Sequence, residues 1–202
     1  TPTNAGIFDM APAFNLGTGG QNISYLRVTN PRSTGFEINP GRVLNNLSVD
    51  DNVNALTIAG GSLLVTGTLT LTNGVVNNSA VNLITVGLDA VTLGTIVRTN
   101  GMINGSLKKW YAASTGTATF PLGDGVNYKP ATLNFTTAPA TGGTLTASFS
   151  SAAPSFPNAI PLTEGSLIVN GVSNQGSWIV QSGNGLTGGN YTATFTGNGA
   201  TD

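Results

Sequence analysis

Pairs of apolar residues recur along the first half of the chain at a nearly constant interval. Within each pair one residue intervenes, and successive pairs begin 21, 22 and 22 residues apart: Leu26 and Val28, Leu47 and Val49, Leu69 and Leu71, Val91 and Leu93. This two-residue alternation places the apolar side chains on one face of a β-strand. Self-similarity at about 20 residues or more, without helical periodicity, is typical of a stacked solenoid.

A second series of apolar pairs supports the same architecture. Its members are Phe36-x-Ile38, Leu56-x-Ile58 and, as a continuation, Val75-Val76. Asn, Gly and Pro lie between the pairs, where turns require them. We therefore predict an all-β chain with a short parallel β-helix, or solenoid, of about four coils over residues 22–103. A β-sandwich with regular strand spacing is the alternative, since sandwiches also place turns about every 8–12 residues.

The second half of the chain has strands at hairpin-like spacing. Alternating segments separated by Gly and Pro occupy residues 117–120, 131–135, 144–149, 167–169, 177–180 and 191–195. Residues 104–202 are therefore expected to form an antiparallel β-sandwich-like region with a free edge strand. Residues 1–21, broken by Pro and Gly, are expected to form an irregular lead-in or cap. Because the chain begins at Thr1 without methionine, we interpret it as a mature or excised segment of a longer protein.

The composition excludes several classes of function. Charged residues make up only 7% of the chain and the net charge is −1, against about 25% charged residues in an average soluble domain. Electrostatic binding of nucleic acid or of an anionic membrane is therefore not expected. The absence of Cys and His excludes disulfides and thiolate ligands and removes the commonest general base. We predict no cofactor, and no apolar run is long enough for a membrane span.

Two clusters contain candidate site residues. Asp50, Asp51 and Asn52 offer oxygen ligands of the type that Ca²⁺ prefers, although a solvated turn is the simpler interpretation because the spacing of known calcium loops is missing. Trp110 and Tyr111 follow two lysines and are candidate interaction residues for a glycan. The preferred interpretation makes Trp110 a cap over the open core of the last coil. Trp178 and Tyr191 are expected in the core of the terminal sheet.

The threonines of the third coil and the scattered charges raise two further hypotheses. Thr68, Thr70 and Thr72 alternate with leucines, as in the flat array of an ice-binding solenoid, but the expected outward column is irregular: Arg27, Ser48, Thr70, Thr92. Threonine as a favoured exposed strand residue explains it better. A β-helix enzyme requires clustered acids and bases, whereas the candidates are dispersed: Glu37, Arg42, Asp50, Asp51, Asp89, Arg98.

A family resemblance rests on two short motifs. Residues 119–125 (TFPLGDG) and 128–130 (YKP) resemble the "FPxG…Y(R/K)P" segment of very large secreted surface proteins of the Bacteroidota. In those proteins a Leu-Thr-rich segment precedes it, as residues 69–74 (LTLTNG) do here, and strands resembling residues 176–180 and 189–195 follow it. The resemblance implies an extracellular, adhesin-like or fibre-like protein, often exported by type IX secretion, and it supplies no catalytic residues.

Together these observations predict an extracellular structural or adhesive segment of a bacterial surface protein or fibre, without catalysis. The expected partners are copies of the chain itself or neighbouring domains of a larger surface protein, joined through uncovered strand edges. A solenoid that binds glycan or ice is the alternative. A β-helix carbohydrate-active enzyme is the third hypothesis.

Overall fold

The structure is a computed structural model that describes residues 20–26, 30–35, 37–152, 162–164, 167–169 and 176–197. The predicted lead-in over residues 1–21 lies outside the described residues except for its last two. The strands are β1 Gln21–Leu26, β2 Arg32–Ser33, β3 Val43–Thr57, β4 Leu63–Asn77, β5 Ile84–Val86, β6 Thr95–Arg98, β7 Met102–Asn104, β8 Ser106–Tyr111, β9 Gly116–Phe120, β10 Ala131–Phe135, β11 Gly143–Ser150, β12 Leu162–Glu164, β13 Leu167–Val169, β14 Ser177–Gly183 and β15 Tyr191–Phe195. A single 3₁₀ turn covers Ala80–Asn82.

The first part of the chain is a parallel β-solenoid of about four coils, as predicted. Strands β1, β3 and β4 stack in parallel, and β4 in turn pairs with β5, β6 and β7 of the fourth coil. Strands β3 and β4 are each 15 residues long, because each runs around a corner of its coil. The inward side chains of successive coils lie directly above one another, so every coil buries the apolar face of its neighbour.

Inward side chains of successive coils form columns in the solenoid core. The first runs Leu44–Val65–Val86, the second Ile23–Leu47–Leu69–Ile96, the third Leu56–Val76–Ile103–Leu122, the fourth Tyr25–Val49–Leu71–Arg98 and the fifth Leu63–Ile84–Leu107. Nearly all of these side chains are fully buried, and Ile96, which is partly buried, packs against the same core. Removal of aliphatic side chains from water is the main force that holds such a stack together.

The predicted register is confirmed in the middle of the stack and wrong at both ends. Leu47 pairs with Leu69, and Val49 with Leu71, as expected. Leu26, by contrast, is 60% exposed and Val91 is 89% exposed. The residues that occupy the inward positions of the first and fourth coils are Ile23, Tyr25, Ile96 and Arg98. Leu56 pairs with Val76 as predicted, whereas Val28 and Phe36 lie outside the described residues.

Variation in corner length explains the difference. In the second column successive coils are 24, 22 and 27 residues apart. The longest spacing includes an extra loop between Gly87 and Gly94, in which the N–H of Leu88 donates to the carbonyl of Thr92 at 2.7 Å. The Asp89 carboxylate accepts two further backbone N–H groups of this loop. A constant 22-residue offset assigns loop residues to the core wherever a corner is longer.

Strand β8 joins the solenoid to the antiparallel part of the chain. Leu107 pairs in parallel with Ile84 of β5 and, on its other side, antiparallel with Ala147 of β11. Strand β14 extends the same sheet beyond β11. A second antiparallel sheet has the order β15-β10-β9. The predicted solenoid followed by an antiparallel sandwich-like region is therefore confirmed, but no break in the structure falls at residue 104, since β8 belongs to both parts.

Tyr111 lies between the two sheets and has an unusual environment. Its ring packs against Phe120 and Phe135, with centroids 6.4 and 6.2 Å away. Its buried hydroxyl finds no hydrogen-bond partner among the described residues, and burial raises the pKa of Tyr111 far above its usual range. At the other end of the solenoid the Tyr25 hydroxyl donates to the carboxylate of Glu37, and both side chains are buried.

Removal of the hydroxyl should therefore have opposite effects at these two tyrosines. We expect Tyr111→Phe to leave the free energy of unfolding unchanged or to raise it by up to about 1 kcal/mol, because an unsatisfied buried group is removed. Tyr25→Phe should cost about 1–3 kcal/mol, because the buried carboxylate of Glu37 loses one of its hydrogen-bond donors. Urea titrations of both variants provide the measurement, and equal losses would contradict the described environments.

The same variants give a pH dependence with a defined sign. A tyrosine whose pKa is raised in the folded state contributes stability that is complete below the unfolded-state pKa of about 10 and is lost as the pH rises above it. The wild-type chain should therefore lose stability above about pH 10. Tyr111→Phe should reduce this loss, which urea titrations at neutral and alkaline pH will detect.

Candidate interaction surface

An open apolar cleft separates β14 from β15. Both strands are edge strands within the described part of the chain: β14 pairs only with β11, and β15 only with β10. The cleft has a volume of about 480 Å³. Its apolar lining comes from both sheets: Leu133, Phe135, Leu145, Val180, Leu186, Tyr191, Ala193, Phe195. Within the described residues the two sheets contact each other at Tyr111 of β8 and Phe120 of β9. The side of β14 and β15 is open there except at one end, where the ring of Phe195 packs 5.5 Å from that of Trp178.

Strand β15 is exposed along its whole length. Tyr191 is 59% and Phe195 45% exposed although both rings face the cleft. The prediction that Tyr191 belongs to the core is therefore wrong. Trp178 is half-buried: its ring packs 5.0 Å from Phe149, and its Nε1–H donates to the carbonyl of Lys129 at 2.9 Å. The expected core position of Trp178 is thus confirmed in part.

Among the strands that the structure describes, none pairs with the second backbone edge of β15. The residues flanking the strand are bonded to β10: the N–H of Thr136 donates to Asn190 at 2.9 Å, and that of Thr196 donates to Pro130 at 3.3 Å. In an antiparallel pair the bonded positions alternate along the strand. Thr192 and Thr194 therefore direct their N–H and C=O groups to β10. Those of Tyr191, Ala193 and Phe195 point to the open edge.

The two aromatic candidates of β8 face opposite sides of the sheet. Leu107 points into the core, and side chains alternate along a strand, so Lys109 and Tyr111 point inward and Trp110 outward. Trp110 does not belong to the residues packed against the core, and its predicted role as a cap is wrong. Lys109 occupies the next position of the first column, paired with Val86. Its Nζ donates to the carbonyls of Leu93 and Gly94 at 3.0 and 2.8 Å, and burial lowers its pKa.

The candidate calcium ligands have separate partners. Asp50 accepts a 2.6 Å hydrogen bond from the amide of Asn73, whereas one carboxylate oxygen of Asp51 accepts the N–H groups of Val53 and Asn54 at 3.1 Å. Asn52 is exposed. No group of three or more acidic residues that would hold a metal ion occurs in the described ranges. The carboxylates thus hold a corner of the second coil through separate hydrogen bonds.

Other charged side chains also hold the backbone. Arg42 donates to the carbonyls of Ala59 and Ser62, and Arg98 to those of Asn100 and Gly101, at 2.7–3.2 Å. Asp89 and Asp124 each accept two loop N–H groups, which lower the pKa of both carboxyls. Arg42, Arg98 and Asp89, three of the dispersed residues considered for a β-helix enzyme, thus each bond to backbone groups at a different place in the solenoid.

The outward threonines do not form a regular array. The column beside the buried leucines reads Ser24, Ser48, Thr70, Val97. Of the four residues expected there, Ser48 and Thr70 are placed as predicted, Thr92 lies in the loop before β6, and Arg27 is outside the described residues. A column that begins with two serines and ends in valine lacks the repetition that a flat ice-binding face needs.

The two motifs that carry the family resemblance close the last coil. Leu122 forms a parallel bridge with Ile103, and the N–H of Gly123 donates to the Ile103 carbonyl at 2.9 Å. The ring of Tyr128 lies 3.4 Å from the guanidinium carbon of Arg98, a cation–π contact. Since Arg98 stacks on Leu71, Tyr128 covers the end of that column. The covering residue is thus a tyrosine of the YKP motif, a role that the sequence interpretation assigned to Trp110.

The comparisons with known proteins give no relative. Neither the family models nor the curated proteins nor the solved structures contain a significant match to this chain. In the described part of the chain no helix is long and apolar enough to cross a membrane.

Proposed function

We propose that this chain is an extracellular structural or adhesive segment of a bacterial surface protein or fibre, and that it has no catalytic activity. It would act as a stiff spacer whose open sheet edge joins a neighbouring copy or domain. The resemblance to Bacteroidota surface proteins suggests export by type IX secretion. A chain of this kind contributes shape, reach and attachment instead of chemistry.

The observation that carries the proposal is that the charged side chains form hydrogen bonds with the backbone. Arg98, Asp89 and Asp124 bond to backbone groups of their own loops. Arg42 and Lys109 donate to backbone carbonyls 15–20 residues away along the chain. A catalytic site needs such groups to converge on a substrate, whereas a scaffold needs them to fix its corners. The strands themselves offer Ser, Thr and Asn to solvent, so the charge-poor surface interacts weakly with salt and responds little to pH.

The open edge is the second feature that supports a role in assembly. Soluble proteins usually protect an edge strand by charge, proline, a bulge or a covering segment. Strand β15 has no charged residue and no proline, and its pairing with β10 is regular through all five residues. An unprotected edge beside an apolar cleft is suited to addition of a β-strand from a partner.

Localisation and activity assays test the proposal on cells of the source organism. Antibodies raised against the purified chain should label intact cells, and external protease should remove the signal. Negative-stain images of the sheared surface material should show labelled fibres or an extended layer. Labelling only after permeabilisation would contradict a surface role. Release of reducing sugar from a panel of bacterial and plant polysaccharides would replace the proposal by the enzyme hypothesis.

A further inference from the structure

We propose that two copies of this chain associate through their β15 strands, which pair antiparallel about a twofold axis at Ala193. The inference rests on the proposed function and names the partner of the open edge as a second copy. In the resulting dimer one continuous sheet runs β9-β10-β15 and then through the same three strands of the other copy in reverse order. The two apolar clefts then lie side by side.

The sequence of β15 is nearly a palindrome. It reads Tyr-Thr-Ala-Thr-Phe from Tyr191 to Phe195, so reversal of the strand exchanges only one aromatic residue for another. Antiparallel pairing about Ala193 sets Tyr191 opposite the partner's Phe195 and Thr192 opposite the partner's Thr194. Aromatic pairs and threonine pairs are favourable across an antiparallel strand pair. A twofold interface must match itself in this way.

The N–H and C=O groups of β15 that do not bond to β10 belong to the residues that this pairing requires. Tyr191, Ala193 and Phe195 direct their N–H and C=O groups away from β10, as the alternation of bonded positions shows. With the axis at Ala193 these same residues become the bonded positions of the new pair. Each of them exchanges two N–H···O bonds with its partner residue. A register shifted by one residue would pair Ala193 with the partner's Thr194. The N–H and C=O groups of Thr194 already bond to β10, so they could not bond across the interface.

The charge and the exposure of the strand favour a second copy of the same chain. A twofold axis places identical residues together, so a charge close to the axis would face a like charge. No residue of β15 is charged. The rings of Tyr191 and Phe195, at 59% and 45% exposure, gain an aromatic neighbour from the partner. Association thus buries apolar surface that the single chain leaves in water.

Cysteine cross-linking tests the position of the axis directly, because the chain has no natural cysteine. In Ala193→Cys the two introduced residues face each other at the Cα separation of a bonded antiparallel pair, about 5.5 Å, which a disulfide spans. We expect most of this variant to form a disulfide-linked dimer under mild oxidation. Thr194→Cys is the matched control on the same strand, since it faces the partner's Thr192 and points to the other side of the sheet, and it should remain largely uncross-linked.

Introduction of a charge at the twofold axis provides an independent test in solution. Sedimentation equilibrium of the full chain should show a monomer–dimer equilibrium, and Ala193→Lys or Ala193→Asp alone should weaken it by at least about tenfold. An equimolar mixture of these two variants should recover dimer, because opposite charges then meet at the axis. Matched circular dichroism and thermal unfolding of the variants will show that the monomer fold is retained.

Several results would overturn the inference. A strictly monomeric chain up to millimolar concentration would do so, as would equal cross-linking of Ala193→Cys and Thr194→Cys. Protection of the Ala193 amide from hydrogen exchange in the dilute monomer would show that another segment of the same chain covers the edge. These results would leave the surface role intact, since cell labelling tests that role separately.

Discussion

Leu69→Asp is expected to unfold the coil stack at neutral pH. Leu69 is fully buried in the second column, between Leu47 and Ile96. A carboxylate at this position would lose its hydration and find no partner, which costs several kcal/mol beyond the loss of the leucine contacts. We expect the free energy of unfolding to fall by at least about 4 kcal/mol, a large part of the stability of a typical domain. Urea titration followed by circular dichroism will measure the loss.

Two control substitutions distinguish this register from a general sensitivity to charge. Thr70→Asp places the same group on the next residue, which faces outward, and should cost no more than about 1 kcal/mol. Val91→Asp tests the fourth coil, where the constant 22-residue offset assigns an inward position but the structure places an exposed loop residue. It should change stability by no more than about 0.5 kcal/mol. Comparable losses for Leu69→Asp and Val91→Asp would contradict the register.

The alternation of apolar residues predicted strands well but coil lengths poorly. The face that a side chain occupies follows from counting by two within one strand, and this identified the Leu47–Leu69 stack. The next coil is reached through a corner, whose length has no fixed period. The loop between Gly87 and Gly94 adds residues without disturbing the core, because Asp89 and the backbone satisfy its own N–H groups. An inward residue can therefore be assigned only by its strand neighbours.

The interaction surface was harder to predict, because the alternation of apolar and polar residues shows which face of a strand is apolar but not whether another element covers that face. Tyr191 and Phe195 alternate with threonines as buried residues do, yet they are 59% and 45% exposed on the edge strand, even though the ring of Phe195 packs 5.5 Å from that of Trp178. The orientations of Trp110 and Tyr111 follow from the alternation of side chains along β8. Leu107 faces inward, so Tyr111, four positions later, faces inward and Trp110 does not. The role of Tyr128 as the covering residue depends on a contact with Arg98 that no alternation within one strand indicates.

Gly74→Ala is expected to have the second largest effect, although it adds only one methyl group. Gly74 has φ +89° at the corner of the third coil, and a Cβ there would lie 1.8 Å from the carbonyl oxygen of Asp51 in the coil below. An L-residue at this φ costs about 1–2 kcal/mol, and the overlap with the neighbouring backbone adds about 1–3 kcal/mol. We expect a total loss of at least about 3 kcal/mol, measured by urea titration.

Gly116→Ala separates the two contributions. Gly116 also has a positive φ, +146°, but a Cβ there meets nothing within 4 Å, so its substitution carries backbone strain without a clash. The loss for Gly74→Ala should exceed that for Gly116→Ala by at least about 1 kcal/mol, since the atom that the new Cβ meets is a backbone carbonyl oxygen of the neighbouring coil, which cannot rotate away as a flexible side chain can. Equal losses would show that this corner yields, and that coils of the solenoid stack less tightly at their corners than along their strands.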